Sequence, residues 1–259
     1  TQTPQIGFLD SSNNLTAPGI DGTFTFSVVL ATDTSVVKKV DRVYNYPSGS
    51  LVMGFSSTKF LMTEAGIYRV KITATNLPDF ISAPFTVTNA SASKLVVVND
   101  MPSTIQSGLT FSPAVRLQVQ DTYSNPVLNS VTTISATAVT SNVLSIAGAT
   151  ASNTLGSSFI DVPNLAVTAK AGNTRLRFTA TNAGAPINAT SITTSQFAVV
   201  AGSPYALSVS PTSMTVANRA NLNDIAVTVV DTAGNPVSDS VAQISAATGG
   251  VTLSGTAIR

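Results

Sequence analysis

The chain contains no cysteine, no histidine and no tryptophan. Without cysteine or histidine there can be no thiolate nucleophile, no imidazole base, no Ser-His-Asp triad and none of the usual zinc ligand sets. Without disulfides, redox chemistry does not indicate a compartment. Charge is also scarce: 10% of the 259 residues are Asp, Glu, Lys or Arg, the formal net charge is +1, and the 13 Lys and Arg residues are scattered. That balance excludes the clustered basic footprint of a nucleic-acid-binding protein. Glu64 is the single glutamate beside eleven aspartates. A carboxylate pair acting on a glycosidic bond is the catalytic option that remains, and the expectation is a protein that is not an enzyme. No apolar run approaches the roughly 20 residues of a bilayer-spanning helix, so this segment is not expected to insert into a membrane. The sequence starts at Thr1 with no signal peptide and reads as a mature or excised segment.

What is abundant is Ser, Thr, Val and Ile, a bias toward strands rather than helices. A short pattern recurs in this background. Asp121-Thr122-Tyr123-Ser124-Asn125-Pro126 matches Asp231-Thr232-Ala233-Gly234-Asn235-Pro236, and Asp10-Ser11-Ser12-Asn13-Asn14 is a degenerate first copy. After each copy comes an apolar-polar strand ending at Ser27, Ser135 or Ser245. Further on, Ala65 to Asn76 (AGIYRVKITATN) matches Ala171 to Asn182 (AGNTRLRFTATN). The repeat is about 110 residues, and within it the apolar period is two. Val115, Leu117 and Val119 face one way, with Arg116, Gln118 and Gln120 facing the other, as in a half-buried antiparallel strand. Ile225, Val227 and Val229 fall at the same positions of the next copy.

Short strands between Gly, Pro, Asn and Asp turns, at that repeat length, predict an all-β chain of tandem Ig-like antiparallel β-sandwich domains arranged end to end. The expected boundaries are 1–92, a repeat lacking its first strand; 93–202, a complete repeat; and 203–259, the N-terminal part of a third. Both chain ends then fall inside a domain. The simpler account is a window on a longer repeat protein. The other is strand exchange, in which a neighbouring copy completes the open sheet edge.

The segments LQVQDTYSNPV and VTVVDTAGNPV, with the AGxxRxxxTATN segment, resemble bacterial Ig-like domains of the invasin and intimin type and the Ig-like repeats of large surface and surface-layer proteins. The resemblance implies a β-sandwich that serves as a stalk or as a self-associating unit of a surface coat. Asp10 to Leu15 departs from the pattern by lacking its Gly and Pro.

Each candidate site has a structural alternative. Asp121 and Asp231 are the calcium candidates, but calcium takes six or more oxygens, whereas each motif supplies one acid. As turn formers they would accept backbone N–H bonds, with Ser124 or Gly234 in the awkward position. Asn14, Asn89 and Asn188 begin N-glycosylation sequons. Tyr44 and Tyr46, with Arg42, suggest an aromatic platform or simple loop packing, and Lys38 and Lys39 a solvated face. Leu51, Val52, Met53 and Phe55 form an apolar stretch that is either a core strand or an exposed contact patch. Catalytic and cofactor-binding residues are expected to be absent, calcium being the one cofactor considered.

The functional expectation is an extracellular, cell-surface structural protein, a spacer or self-packing unit of a stalk, coat or filament, whose partners are copies of itself or other surface proteins. The alternative is a glycan-binding or other ligand-binding module, in an adhesin or beside a polysaccharide-degrading enzyme.

Overall fold

The computed structural model describes residues 5–19, 21–49, 51–54, 61–74, 77–99, 101–182, 185–186, 191–213 and 225–238. Every regular element among them is a β-strand. The chain divides into two compact units, one formed by Thr1–Ala90 with Tyr123–Asn125 and the other by Ser91–Thr122 with Pro126–Arg259.

The first unit comprises β1 (Gln5–Leu9), β2 (Leu15–Thr16), β3 (Gly22–Leu30), β4 (Val37–Tyr46), β5 (Val52–Gly54), β6 (Gly66–Ala74), β7 (Leu77–Ile81) and β8 (Phe85–Val87). One sheet runs in the order β4-β3-β6-β7, with β8 also on β6, and a smaller one in the order β2-β1-β5. Alternation along β3 turns Phe24 and Phe26 inward, where they meet Tyr46 in an aromatic core packed by Ile6, Phe8, Tyr44 and Ile72. Tyr46 lies against Phe8 with ring centroids 4.8 Å apart, and Tyr44 stacks on Phe24 at 5.4 Å. The two tyrosines sit two apart on strand β4, so both point to the same face and serve the core; they are not in a loop, as the sequence suggested.

The second unit comprises β9 (Ala92–Val97), β10 (Thr104–Gln106), β11 (Val115–Asp121), β12 (Thr132–Ala138), β13 (Val143–Ala147), β14 (Thr150–Ser152), β15 (Phe159–Val162), β16 (Ala166–Ala169), β17 (Gly172–Thr174), β18 (Leu176–Asn182), β19 (Ala185–Pro186), β20 (Ile192–Thr193), β21 (Phe197–Val200), β22 (Ala206–Ser210) and β23 (Ala226–Val230). Sheets β15-β11-β9, β10-β21-β17 and β14-β12-β18-β19 enclose one core, in which Leu117, Val119, Ile134, Ile160, Leu165, Leu176 and Phe178 are fully buried. The expected alternation holds: Val115, Leu117 and Val119 are buried, whereas Arg116 is exposed and pairs across to Asp161 on β15. One pairing departs from the antiparallel expectation. β10 runs parallel to β21, Ile105 opposite Val199, because this three-residue segment leaves the β9 side and joins the edge of the facing sheet before the chain returns as β11. Beyond this core, β22 and β23 form a two-stranded antiparallel ribbon, Leu207 opposite Val229 and Val209 opposite Val227.

Candidate functional site

Asp10 and Asp231 close the same turn just after a strand, and Asp121 stands at the matching position as the last residue of β11. In the third copy, Asp231 N–H donates to the Asn235 carbonyl at 3.0 Å, and Gly234 N–H donates back to the Asp231 carbonyl at 3.0 Å. In the first copy, Asp10 N–H donates to the Asn14 carbonyl at 2.9 Å and Asn13 N–H to the Asp10 carbonyl at 3.0 Å. The residue before the asparagine has a left-handed backbone each time, with φ of 63° at Asn13, 73° at Ser124 and 81° at Gly234. Asn and Gly tolerate that region, and Ser does so at greater strain. The chain then rejoins the strand it left, Val230 bridging Pro236 as Gln120 bridges Pro126.

The Asp231 carboxylate is fully committed. Oδ1 accepts the N–H groups of Ala233 and Asn235, each at 2.8 Å. Oδ2 accepts Gly202 N–H at 2.7 Å and Asn235 Nδ2 at 2.9 Å. Burial pushes the Asp231 pKa up, but the donors on Gly202, Asn235 and Ala233 outweigh it, leaving the carboxyl below its ordinary value. Four donors occupy the acceptor positions of one carboxylate, so a cation here would have to displace them. Among the described residues no group of three or more acids gathers in a way that could hold a metal ion. Asp10 has a lowered pKa too, chiefly through the backbone N–H groups of Asn14 and Ser12. Asp121 is fully buried.

The asparagine of the motif is the residue whose role the sequence did not reveal. Asn235 is 4% exposed. Its Nδ2 donates to the Ala169 carbonyl at 2.9 Å and its Oδ1 accepts Ala171 N–H at 2.6 Å, so one amide satisfies both sides of the turn between β16 and β17. Asn125 does the same within the first unit, donating to the Thr63 carbonyl at 2.7 Å and accepting Ala65 N–H at 2.9 Å. Ala65-Gly66 and Ala171-Gly172 are the matching Ala-Gly pairs of the repeat. The available signal was the joint recurrence of an Asn-Pro turn and an Ala-Gly turn, each once per repeat.

Gly202 completes this arrangement. A Cβ there would lie 2.2 Å from the Ser107 carbonyl oxygen, so only glycine brings the backbone N–H close enough to reach Asp231.

The remaining candidates do not converge. Asn14 is exposed, with its Nδ2 donating to Asp10 Oδ2 at 3.3 Å. Asn89 is half-buried and donates to the Ala90 carbonyl at 2.9 Å. Asn188 lies outside the described residues. Leu51 and Val52 are 48% and 45% exposed; Met53 belongs to β5 and pairs with Ile6 through the backbone, and Phe55 lies outside the described residues. Lys38 forms an ion pair with Glu64 at 2.9 Å, and Lys39 Nζ donates to the Leu61 carbonyl. No described helix is long and apolar enough to cross a membrane.

No family model matches the chain, and no curated protein matches it in sequence. Among solved structures it is similar to the Escherichia coli adhesin FdeC, at 20% identity and a TM-score of 0.40, over 89% of this chain and 68% of that one. It is similar to invasin, described as a bacterial integrin-binding protein, at 14% identity and a TM-score of 0.32, over 91% and 44% of the respective chains. Domains 4 and 5 of the S-layer protein SbsC align at 17% identity and a TM-score of 0.28, over 53% of this chain and 66% of theirs. The chain thus spans under half of the invasin chain. These are likenesses of β-architecture, at scores that carry no conclusion about activity.

Proposed function

We propose that the chain is an extracellular structural protein, a spacer or self-packing unit of a cell-surface stalk, coat or filament, whose partners are copies of itself or other surface proteins. The observation that supports this reading is the two-sided amide contact of Asn235 with Ala169 and Ala171. It joins the turn motif of one repeat to the backbone of the repeat before it, within the second unit. Both bonds end on main-chain groups, the one to Ala169 buried and the one from Ala171 partly buried, so the contact is suited to passing load along the polypeptide and makes no demand for a ligand. On this reading Asp121 and Asp231 build turns and hold no calcium, no group acts as a catalyst, and the low charge suits packing against like surfaces.

The test is to image the purified chain by negative-stain electron microscopy and to screen it against immobilised glycans. Ordered polymers or lattices without glycan binding are expected. A monodisperse monomer that binds a glycan would overturn the reading in favour of a ligand-binding module.

A further inference from the structure

The junction after β21 is tied into a closed circuit of hydrogen bonds. Ala169 N–H, at the end of β16, donates to Ser107 Oγ at 3.1 Å. Ser107 N–H in turn donates to the Val200 carbonyl, at the end of β21, at 3.0 Å. Two residues on, Gly202 N–H donates to Asp231 Oδ2 at 2.7 Å, and the same oxygen accepts Asn235 Nδ2 at 2.9 Å. The other hydrogen of that amide returns to the Ala169 carbonyl at 2.9 Å. The circuit begins and ends on one main-chain residue. It also accounts for β10, because a three-residue strand parallel to β21 delivers the buried Ser107 to a place where it meets both Ala169 and Val200.

The two carboxylate oxygens of Asp231 have separate roles. Oδ1 accepts the N–H groups of Ala233 and Asn235, both inside the turn. Oδ2 accepts from Gly202, in the segment between β21 and β22, and from the amide that reaches β16. Thus Oδ1 builds the turn, and Oδ2 ties that turn to the sandwich before it. A Cβ on Gly202 would stand 2.2 Å from the Ser107 carbonyl oxygen and 3.4 Å from Asp231 Oδ2, so glycine lets the segment thread between them. On the ribbon side, Tyr205 N–H donates to the Val230 carbonyl at 2.8 Å.

We propose that Asp231 Oδ2 is a latch that holds the β22–β23 ribbon at a fixed angle to the second sandwich, and that loss of its charge frees this joint while the sandwich stays folded. Every printed partner of the carboxylate is a donor: Gly202, Ala233 and both nitrogens of Asn235. A protonated carboxyl would face no acceptor, so one of those donors would lose its partner. Among the described residues, β10 with Ser107, the segment 201–205, the β16–β17 turn and β22–β23 bring two titratable groups to this region, Lys170 and Tyr205. Both are exposed. Burial raises the Asp231 pKa, but the hydrogen bonds from Gly202, Asn235 and Ala233 lower it further, so the latch is closed at neutral pH and opens only in acid. The inference rests on the spacer reading above for its use, and on these contacts alone for its geometry.

The test reads the joint and the fold separately. The chain has no cysteine, so a pair of introduced thiols carries two spin labels and reports a single distance. Labels on Leu144→Cys and Ser208→Cys span the joint, whereas labels on Leu144→Cys and Leu155→Cys both lie in the second sandwich and serve as the control. Double electron–electron resonance on the full chain at neutral pH should give one narrow distance across the joint. Asp231→Asn keeps an oxygen for the turn but turns an NH2 group toward Gly202 N–H. Losing that charge-assisted bond should raise the open population about tenfold, seen as a second, broad component, with the control pair unchanged. The parent, titrated below the usual carboxylate value of about 3.9, should do the same without any substitution. If the variant disturbs the control pair, the acid titration of the parent decides. A broad joint distance in the parent at neutral pH overturns the latch, as does a joint that stays narrow in acid. Broadening of both label pairs together in acid overturns it too, since Asp231 would then hold the sandwich itself. None of these failures touches assembly seen by microscopy, so the spacer reading stands or falls separately.

Discussion

Asn235 and Ala171 are joined by a hydrogen bond of 2.6 Å from the alanine N–H to the asparagine Oδ1, across 64 residues of sequence. The partner of this bond is main chain, and the other end of the same amide grips the Ala169 carbonyl. Asn235→Ala leaves the buried Ala169 carbonyl without its partner, at about 1–3 kcal/mol before relaxation, while water can reach the partly buried Ala171 N–H. The variant should unfold at lower urea concentration than the parent. Asn235→Asp should be worse than Asn235→Ala at neutral pH, because it replaces the donor facing Asp231 with a second carboxylate.

The Asp231 carboxyl titrates below its ordinary value because the hydrogen bonds from Gly202, Asn235 and Ala233 outweigh the opposing effect of burial. A folded-state pKa below the unfolded value of about 3.9 means that stability is fully present above that value and is lost as pH falls through the folded one. Urea midpoints of the parent chain should therefore drop as the pH falls below about 5. The Asp231→Asn variant should be weaker at neutral pH and show a shallower decline with acid.

Backbone conformation sets a third expectation. Ser124 holds φ at 73°, where Gly234 sits at 81° in the next copy. Ser124→Gly should be neutral or stabilising by up to about 1 kcal/mol, since relief of left-handed strain offsets the added chain entropy. Gly202→Ala should be strongly destabilising, as its Cβ would meet the Ser107 carbonyl oxygen at 2.2 Å. Thermal melts of the two variants should move apart.

Core and patch respond differently. Leu117 is fully buried in the second unit, so Leu117→Ala should cost about 2–5 kcal/mol. Leu51 and Val52 are about half exposed, and replacing both with Ser should change stability by less than about 0.5 kcal/mol each. If these two residues are a contact surface, the double variant assembles less while its melting temperature stays put.

Much of the architecture was legible in the sequence. Alternation at Val115, Leu117 and Val119 identified a half-buried strand, because a period of two has one physical cause. The copies at Asp10, Asp121 and Asp231 aligned three turns that share hydrogen bonds or backbone handedness. The target of Asn235 was not legible. Its partners are the backbone groups of Ala169 and Ala171, and every residue carries such groups, so no side-chain type marks the contact. β10 was also hidden, since three residues are too few to display a period. Tyr44 and Tyr46 read as an aromatic platform or as loop packing, whereas β4 turns both to a core-facing side.

The reach of Asn235 has a consequence in time. A polypeptide emerges from the ribosome N-terminus first, and domains generally fold in that order. The turn between β16 and β17 is synthesised, and its strands can pair, well before the amide that satisfies Ala169 and Ala171 has been made. The earlier sandwich thus waits for the Asp231 turn of its successor. Synthesis itself then acts as the clock, tightening each module only as the next one arrives.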